Sequence, residues 1–99
     1  MYVIREIMHC KPGKAGEMVN RFKQMEPLMK EVGMTEPQRI MTDMSGECFW
    51  TVVAEQTVPN LEQYLEMTRK TMSDPRFQKI MAGYHDFVES GRREIFKVE

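Results

Sequence analysis

Long apolar runs are missing from this chain, and so is any bias of charge. Its 99 residues carry 14 Lys and Arg against 15 Asp and Glu, a formal net charge of −1. So even a balance gives no electrostatic pull towards nucleic acid or an anionic membrane. No apolar stretch approaches the roughly 20 residues that span a bilayer. The opening Met1-Tyr2-Val3-Ile4-Arg5-Glu6 meets charge where a secretion signal needs an unbroken apolar stretch, so a cytoplasmic protein is expected. Cysteine is scarce: Cys10 and Cys48 suit reduced, half-buried thiols better than a disulfide scaffold. Neither cysteine nor histidine spacing fits a zinc site. Gly13 and Gly16, flanking Lys14, are too sparse for a phosphate loop, and the glycine-rich dinucleotide fingerprint is absent. Arg21, Arg69, Lys70, Arg92 and Arg93 are scattered, as on a solvated surface. No metal, cofactor, nucleic-acid or membrane partner is expected.

What is present is an order of elements. Tyr2 to Cys10 reads as a strand, and Lys11-Pro12-Gly13-Lys14 breaks it. From Ala15 to about Val32 the period becomes helical, with Met18, Phe22, Met25 and Met29 on one stripe. Pro27 should kink or split this helix, and Gly33 suits its C-terminal cap. Gln38 to Met44 reads as the second strand, Ser45-Gly46 as a two-residue turn, and Glu47 to Thr57 as the third strand. Asn60 suits the N-cap of a helix that Ser73-Asp74-Pro75 interrupts. A following helix carries Phe77, Ile80, Met81, Tyr84 and Val88 inward; Gly91 ends it, and Arg93 to Val98 is the last strand. No linker or boundary divides residues 1–99, so one domain is expected.

The pattern is β-α-β-β-α-β, an α+β chain. Right-handed crossovers make strands 1 and 2 parallel, and strands 3 and 4 likewise. The economical result is a four-stranded antiparallel sheet in the order 4-1-3-2 with the helices on one face. Cys10 then lies near Cys48, Met8 opposite Trp50 and His9 opposite Phe49. One sheet face carries Ile4, Glu6, Met8, Trp50, Val52, Ala54, Arg39 and Met41; the other carries Val3, Arg5, Ile7, His9, Thr51, Val53, Glu55 and Ile40. Both faces read as largely apolar, whereas a sheet with one wet face alternates cleanly. The helices cover one face only, so a symmetric sheet-to-sheet homodimer is expected to cover the other.

The segment Tyr2-Val3-Ile4-Arg5-Glu6, followed by Lys11-Pro12-Gly13-Lys14 and a Met/Phe-striped helix, resembles the opening of a NIPSNAP-type domain. Asp74-Pro75-Arg76-Phe77-Gln78 and Ser90-Gly91-Arg92-Arg93-Glu94-Ile95-Phe96 are similar to NIPSNAP and antibiotic-biosynthesis-monooxygenase-like domains. The resemblance implies the dimeric α+β barrel superfamily, in which two ferredoxin-like protomers pack sheet to sheet and a pocket lies between sheet and helices. It also implies a range of functions: cofactor-free oxygenases, isomerases, haem-degrading enzymes and proteins with no known activity. The haem-degrading members use an Asn on the first strand, a Trp on the third and a His on the later helix. Trp50 and His85 match two of these; the first strand holds no Asn.

The chemistry candidates are few. Arg5, His9 and Thr51 share a face with Glu55: Arg5 could hold an acidic ligand group bidentately and His9 could move a proton near neutral pH. The plainer reading is an Arg5–Glu55 ion pair, since charges within a sheet must be paired or reach water. His85 is the other candidate acid–base residue, against the reading of a surface histidine. Trp50 is a candidate substrate contact, against that of a core aromatic. The 11 methionines are either adaptable core filling or the lining of a plastic pocket for a bulky ligand. Three functions follow: a cofactor-independent monooxygenase or isomerase acting on a small aromatic or polyketide-like molecule, a non-catalytic small-molecule binder, or a structural domain whose dimer is its function.

Overall fold

The strands form a four-stranded antiparallel sheet in the spatial order β2-β3-β1-β4, the expected order read from the other edge. The computed structural model describes residues 1–34 and 36–99. Its elements are β1 (Tyr2–Cys10), α1 (Ala15–Glu31), β2 (Arg39–Thr42), β3 (Thr51–Val58), α2 (Leu61–Ser73), α3 (Pro75–Met81), a single 3-10 turn (Tyr84–Asp86) and β4 (Val88–Lys97). This is a ferredoxin-like α+β fold with its helices packed on one sheet face. None of those helices is long and apolar enough to cross a membrane.

Local chemistry explains the element ends. Gly33, at φ +103°, turns the chain out of α1, and Met34 N–H donates to the Met29 carbonyl across the turn. Pro27 sits on the exposed side of α1, and the helix continues through it without the split that was one of the two expectations for it. At the start of α2, Asn60 Oδ1 accepts from Gln63 N–H at 3.1 Å, a cap that contributes about 1 kcal/mol. Asp74 closes α2 and opens α3, its Oδ1 accepting from Arg76 N–H at 2.8 Å with Pro75 in the first turn.

Four expectations need correction. The β2–β3 connection is no two-residue turn: the chain leaves β2 at Thr42 and rejoins the sheet at Thr51. Asp43 holds the neck of this loop, its N–H donating to the Thr51 carbonyl and its Oδ1 accepting from Thr51 N–H. Met44, Cys48, Phe49 and Trp50 therefore lie outside the strands, and Met44 and Phe49 are fully or nearly fully exposed. Secondly, His9 pairs with Thr51 and Met8 with Val52, two residues along from the expected register. Cys10 N–H donates to the Trp50 carbonyl; Cys10 is buried, Cys48 is exposed, and both are free thiols. Thirdly, β2 is turned over: Ile40 pairs with Ala54 on the helix side and Arg39 with Glu55 on the open side. Lastly, the final helix ends at Met81, so Val88 opens β4 and Gly91 lies inside that strand opposite Met8. A Cβ on Gly91 would stand 2.7 Å from Met8 Sδ, so a larger residue there would require the flexible Met8 side chain to shift.

Two clusters of buried residues lie on the helix side, while Ile7 is buried on the other face. One joins Cys10, Ala15, Met18, Phe22, Val52, Ala54 and Phe87; the other joins Ile4, Met29, Met34, Val58 and Tyr64. Arg21 ties α1 to the end of α3 by donating to the Ile80 and Ala82 carbonyls, which the helix itself leaves unpaired.

Candidate functional site

A cavity of about 370 Å³ lies between the two core clusters, beneath the helices. Its walls are mostly soft. Met8 comes from β1, Met25 and Met29 from α1, Met34 from the turn after it, Met72 from α2 and Met81 from α3. Phe22, Phe77, Tyr64 and Tyr84 add flat surface. Unbranched thioethers repack at little cost, so such a wall adapts to the outline of a guest.

The polar groups converge from both sides of the lining. Glu6 on β1 and Arg93 on β4 are paired across the strands, and Arg93 Nε donates to Glu6 Oε1. The Arg93 guanidinium also stands over the Tyr64 ring, 5.8 Å from its centroid. Burial alone would lower the Arg93 pKa; the Glu6 carboxylate more than offsets it and holds the guanidinium above its usual value. Burial pushes the Tyr64 phenol up, against the opposing pull of the Thr68 side chain and the Arg93 charge. Gln56, on β3, is buried at the same wall. Gln38, just before β2, also borders the cavity, but its Oε1 is sealed from the open space and has no hydrogen-bond partner among the described residues. The Thr71 hydroxyl, by contrast, is already spent on the Met67 carbonyl of its own helix.

The residues singled out from the sequence stand elsewhere. Arg5, His9 and Thr51 are together on the open sheet face, and none lines the cavity. Arg5 Nε donates to Glu55 Oε2 at 2.7 Å, and Arg39 reaches the other oxygen of the same carboxylate at 3.2 Å. His9 lies between Arg92, 3.1 Å from Nε2, and the Thr51 hydroxyl, 3.2 Å from Nδ1. Arginine can only donate, so Nε2 accepts and the Nδ1–H donates to Thr51, whose own hydroxyl passes to the Cys48 carbonyl. His85 is exposed on the 3-10 turn beside the Tyr84 ring. Trp50 is exposed on the β2–β3 loop with a left-handed backbone, φ +59°. The Cys10 thiol is raised by burial and stays protonated, which makes it a poor nucleophile.

Sequence reasoning did not bring Glu6 together with Arg93, and it passed over Gln38, Gln56 and Tyr64. One signal was available: Glu6 shares a face with Ile4 and Met8, and a carboxylate amid apolar neighbours needs a partner from an adjacent strand. No group of three or more His, Cys, Asp and Glu side chains able to hold a metal occurs among the described residues.

This fold is found in solved structures. A NIPSNAP family protein of unknown function from Agrobacterium tumefaciens matches it with a TM-score of 0.82 at 16% identity, over 99% of this chain and 87% of that one. A NIPSNAP domain protein from Burkholderia xenovorans matches with a TM-score of 0.81 at 15% identity, over 100% and 95%. A structure described as an antibiotic biosynthesis monooxygenase matches with a TM-score of 0.71 at 8% identity, over 100% and 99%. No protein-family model matches the chain, and no curated protein matches it in sequence. The chain therefore has the fold shared by NIPSNAP and antibiotic-biosynthesis-monooxygenase-like proteins. At these identities the likeness extends to the fold and no further.

Proposed function

We propose that this protein binds a bulky, largely apolar small molecule in the cavity between its sheet and helices. The observation that carries the reading is the lining itself. Six methionines and four aromatic rings surround a space within the ordinary range for ligand sites, with a few polar groups at fixed points. Native mass spectrometry of the protein purified gently from its own host is the test. A co-purified small molecule that is lost from a cavity-filling Met29→Trp variant supports the reading. A ligand retained by that variant, or none from any preparation, counts against it.

A second reading, cofactor-independent oxygenation or isomerisation of a small aromatic or polyketide-like molecule, uses the same cavity. It is favoured by the likeness to an antibiotic biosynthesis monooxygenase and by the placing of an acid–base group against a cation. Glu6 would take a proton from a hydroxyl of the substrate, and Arg93 would stabilise the oxyanion left behind. An electron-rich anion of this kind can itself reduce dioxygen, so the protein need supply only shape, dryness and a base. Dioxygen uptake with an electron-rich hydroxyaromatic compound, abolished by Glu6→Gln, would separate catalysis from binding.

The homodimer belongs to the same proposal. The sheet face away from the helices carries Val3, Ile7, Met41, Val53 and Phe96 beside charges that are already paired to one another. Such a face can meet a second copy of itself without stranding a charge. In that arrangement Arg5, His9 and Thr51 lie at the interface. Sedimentation at micromolar concentration tests this; a monomer there would leave the face to solvent.

A further inference from the structure

We infer that the open sheet face joins two copies of the chain only while His9 is neutral, so that the homodimer comes apart on mild acidification. The inference rests on the homodimer reading above and adds its regulation. Two observations carry it: the charge pattern of the face and the hydrogen bonds of His9.

The charges choose the partner. Arg39, Glu55, Arg5 and Glu94 run plus, minus, plus, minus across the four strands. Turned end for end by a two-fold axis, such a row sets each charge against one of opposite sign, so a second copy fits it. The histidine then sets the condition. His9 Nε2 accepts from Arg92 at 3.1 Å, and Nδ1 lies 3.2 Å from the Thr51 hydroxyl, which itself donates to the Cys48 carbonyl. A proton added at Nε2 turns that acceptor into a donor and sets two cations face to face. Among the described residues no carboxylate pairs with His9: Glu55 is held by Arg5 and Arg39, and Glu94 by Arg92. Ser90 stands opposite His9 on β4, and Asp43 lies beyond Thr51, its Oδ1 taken up by the Thr51 N–H. Glu89 and Lys11, near the strand ends, are exposed. In the free chain the new repulsion is mild, because the Arg92 side chain is 48% exposed and can swing into water with Glu94. Under a second sheet that water is gone, and like charges in a drier medium repel far more strongly. Protonation therefore weakens association and leaves the fold of each chain intact.

Sedimentation of the full chain at constant ionic strength reads the effect. Histidine is ordinarily half-protonated near pH 6.5, and two copies each take up a proton on parting, so the dissociation constant should rise about a hundredfold between about pH 7.5 and about pH 5.5. Circular dichroism at both values should show folded chains; unfolding at the lower one would overturn the inference, since dissociation would then follow from a lost fold. In His9→Gln, whose amide can accept from Arg92 at either pH, the rise should vanish. His85→Gln, which alters the other of the two histidines, should keep it. In Arg92→Gln the opposing cation is gone and Glu94 is free to meet the imidazolium, so the rise should shrink below tenfold. A rise that survives His9→Gln overturns the inference. Should that variant fail to fold, an undiminished rise in Arg92→Gln overturns it instead. A dimer of equal strength at both pH values also overturns it and leaves the homodimer reading standing. A monomer at both overturns the two together.

Discussion

The two faces of this sheet are built from the same strands and solve opposite problems. On the helix side Ile4, Val52 and Ala54 are fully buried, and one ion pair, Glu6–Arg93, stands at the edge of a cavity. On the open side the charges run in a row. Arg39 stands opposite Glu55, Glu55 opposite Arg5, and Arg5 opposite Glu94, so that positive and negative alternate across all four strands, Glu55 pairing with both Arg5 and Arg39 and Glu94 with Arg92. The next row, Met41, Val53, Ile7 and Arg92, is apolar until its end. Alternate rows thus neutralise charge and offer apolar surface, and long side chains such as Arg5, lying 5.2 Å from the Phe96 ring centroid, shelter what is between them. The comparison teaches that apolar content is a poor guide to which face is core. What separates the faces is where the polar groups find partners: side by side along the open face, and around a space on the helix side.

The sharpest way to break the comparison is to delete the same side chain on each face. Met18, with no exposure, packs in the helix-side core; Met41 is half-buried on the open side. Met18→Ala should cost about 2–5 kcal/mol in urea unfolding. Met41→Ala should cost about 1 kcal/mol or less in the monomer. A Met41→Ala loss that grows with protein concentration would show that the open face is covered by a second copy, since the variant then weakens association as well.

The cavity side should also show itself at high pH. The Tyr64 phenol is held above its ordinary value of 10.0, chiefly by burial. A raised folded-state value means that the folded chain keeps its proton when the unfolded chain releases it. The associated stability is therefore complete below pH 10.0 and is lost as pH climbs through the higher folded value. Phenolate absorbance of Tyr64 should rise late and together with unfolding. In Tyr64→Phe that alkaline loss should shrink. Early, reversible ionisation of Tyr64 in the intact fold would mean that the cavity wall is wet.

On the open face the test is Glu55→Gln. Its carboxylate serves Arg5 and Arg39 together and is only 14% exposed, whereas the two guanidiniums are 42% and 71% exposed. The arginines keep water, so the loss should be about 1 kcal/mol and should fade in high salt. A loss several times larger would mean that the row is sealed from solvent, as a dimer interface would seal it.

How far the sequence led can be argued from register. The element order, the Asn60 cap and the place of Pro75 in the first turn of α3 were legible because each rests on local chemistry, and the sheet order followed from the handedness of the crossovers. The faces of β1 and β3 were also legible, because the pairing slipped by two residues and a slip of two keeps parity. β2 was not. Taking Ser45-Gly46 as a two-residue turn implies a register that differs from the observed one by an odd number, and that turns every side chain of β2 over. The aromatic pair Phe49-Trp50 reads as strand by propensity, yet it sits in a loop whose neck is set by Asp43, a tertiary choice that propensity does not see. The site was illegible for a related reason. Glu6 and Arg93 are 87 positions apart and meet only through the β1–β4 pairing.

A last contrast sets the open-face row against the ion pairs on the outside of the helix layer. There Arg76 holds Asp74 and Glu31 together, its Nη2 at 2.8 Å and 2.5 Å from their oxygens. Both carboxyls lie below their usual values, Asp74 and Glu31 alike chiefly through hydrogen bonds from Arg76. Depressed folded-state values contribute stability that is present above the ordinary carboxyl values of 3.8 and 4.5 and is lost as pH falls through the lower folded ones. All three groups are open to water, so the effect should be the smallest of those considered, a slight flattening of the acid limb of the stability–pH curve in Arg76→Met. Its value lies in the comparison with Glu55→Gln. One change removes a guanidinium shared by two carboxylates in solvent, the other a carboxylate shared by two guanidiniums on the sheet. If the two variants lose the same stability and respond alike to salt, the open face is as wet as the outside of the helices and nothing packs on it. If Glu55→Gln costs clearly more and resists salt, the charged row is working in a drier place than the chain alone provides.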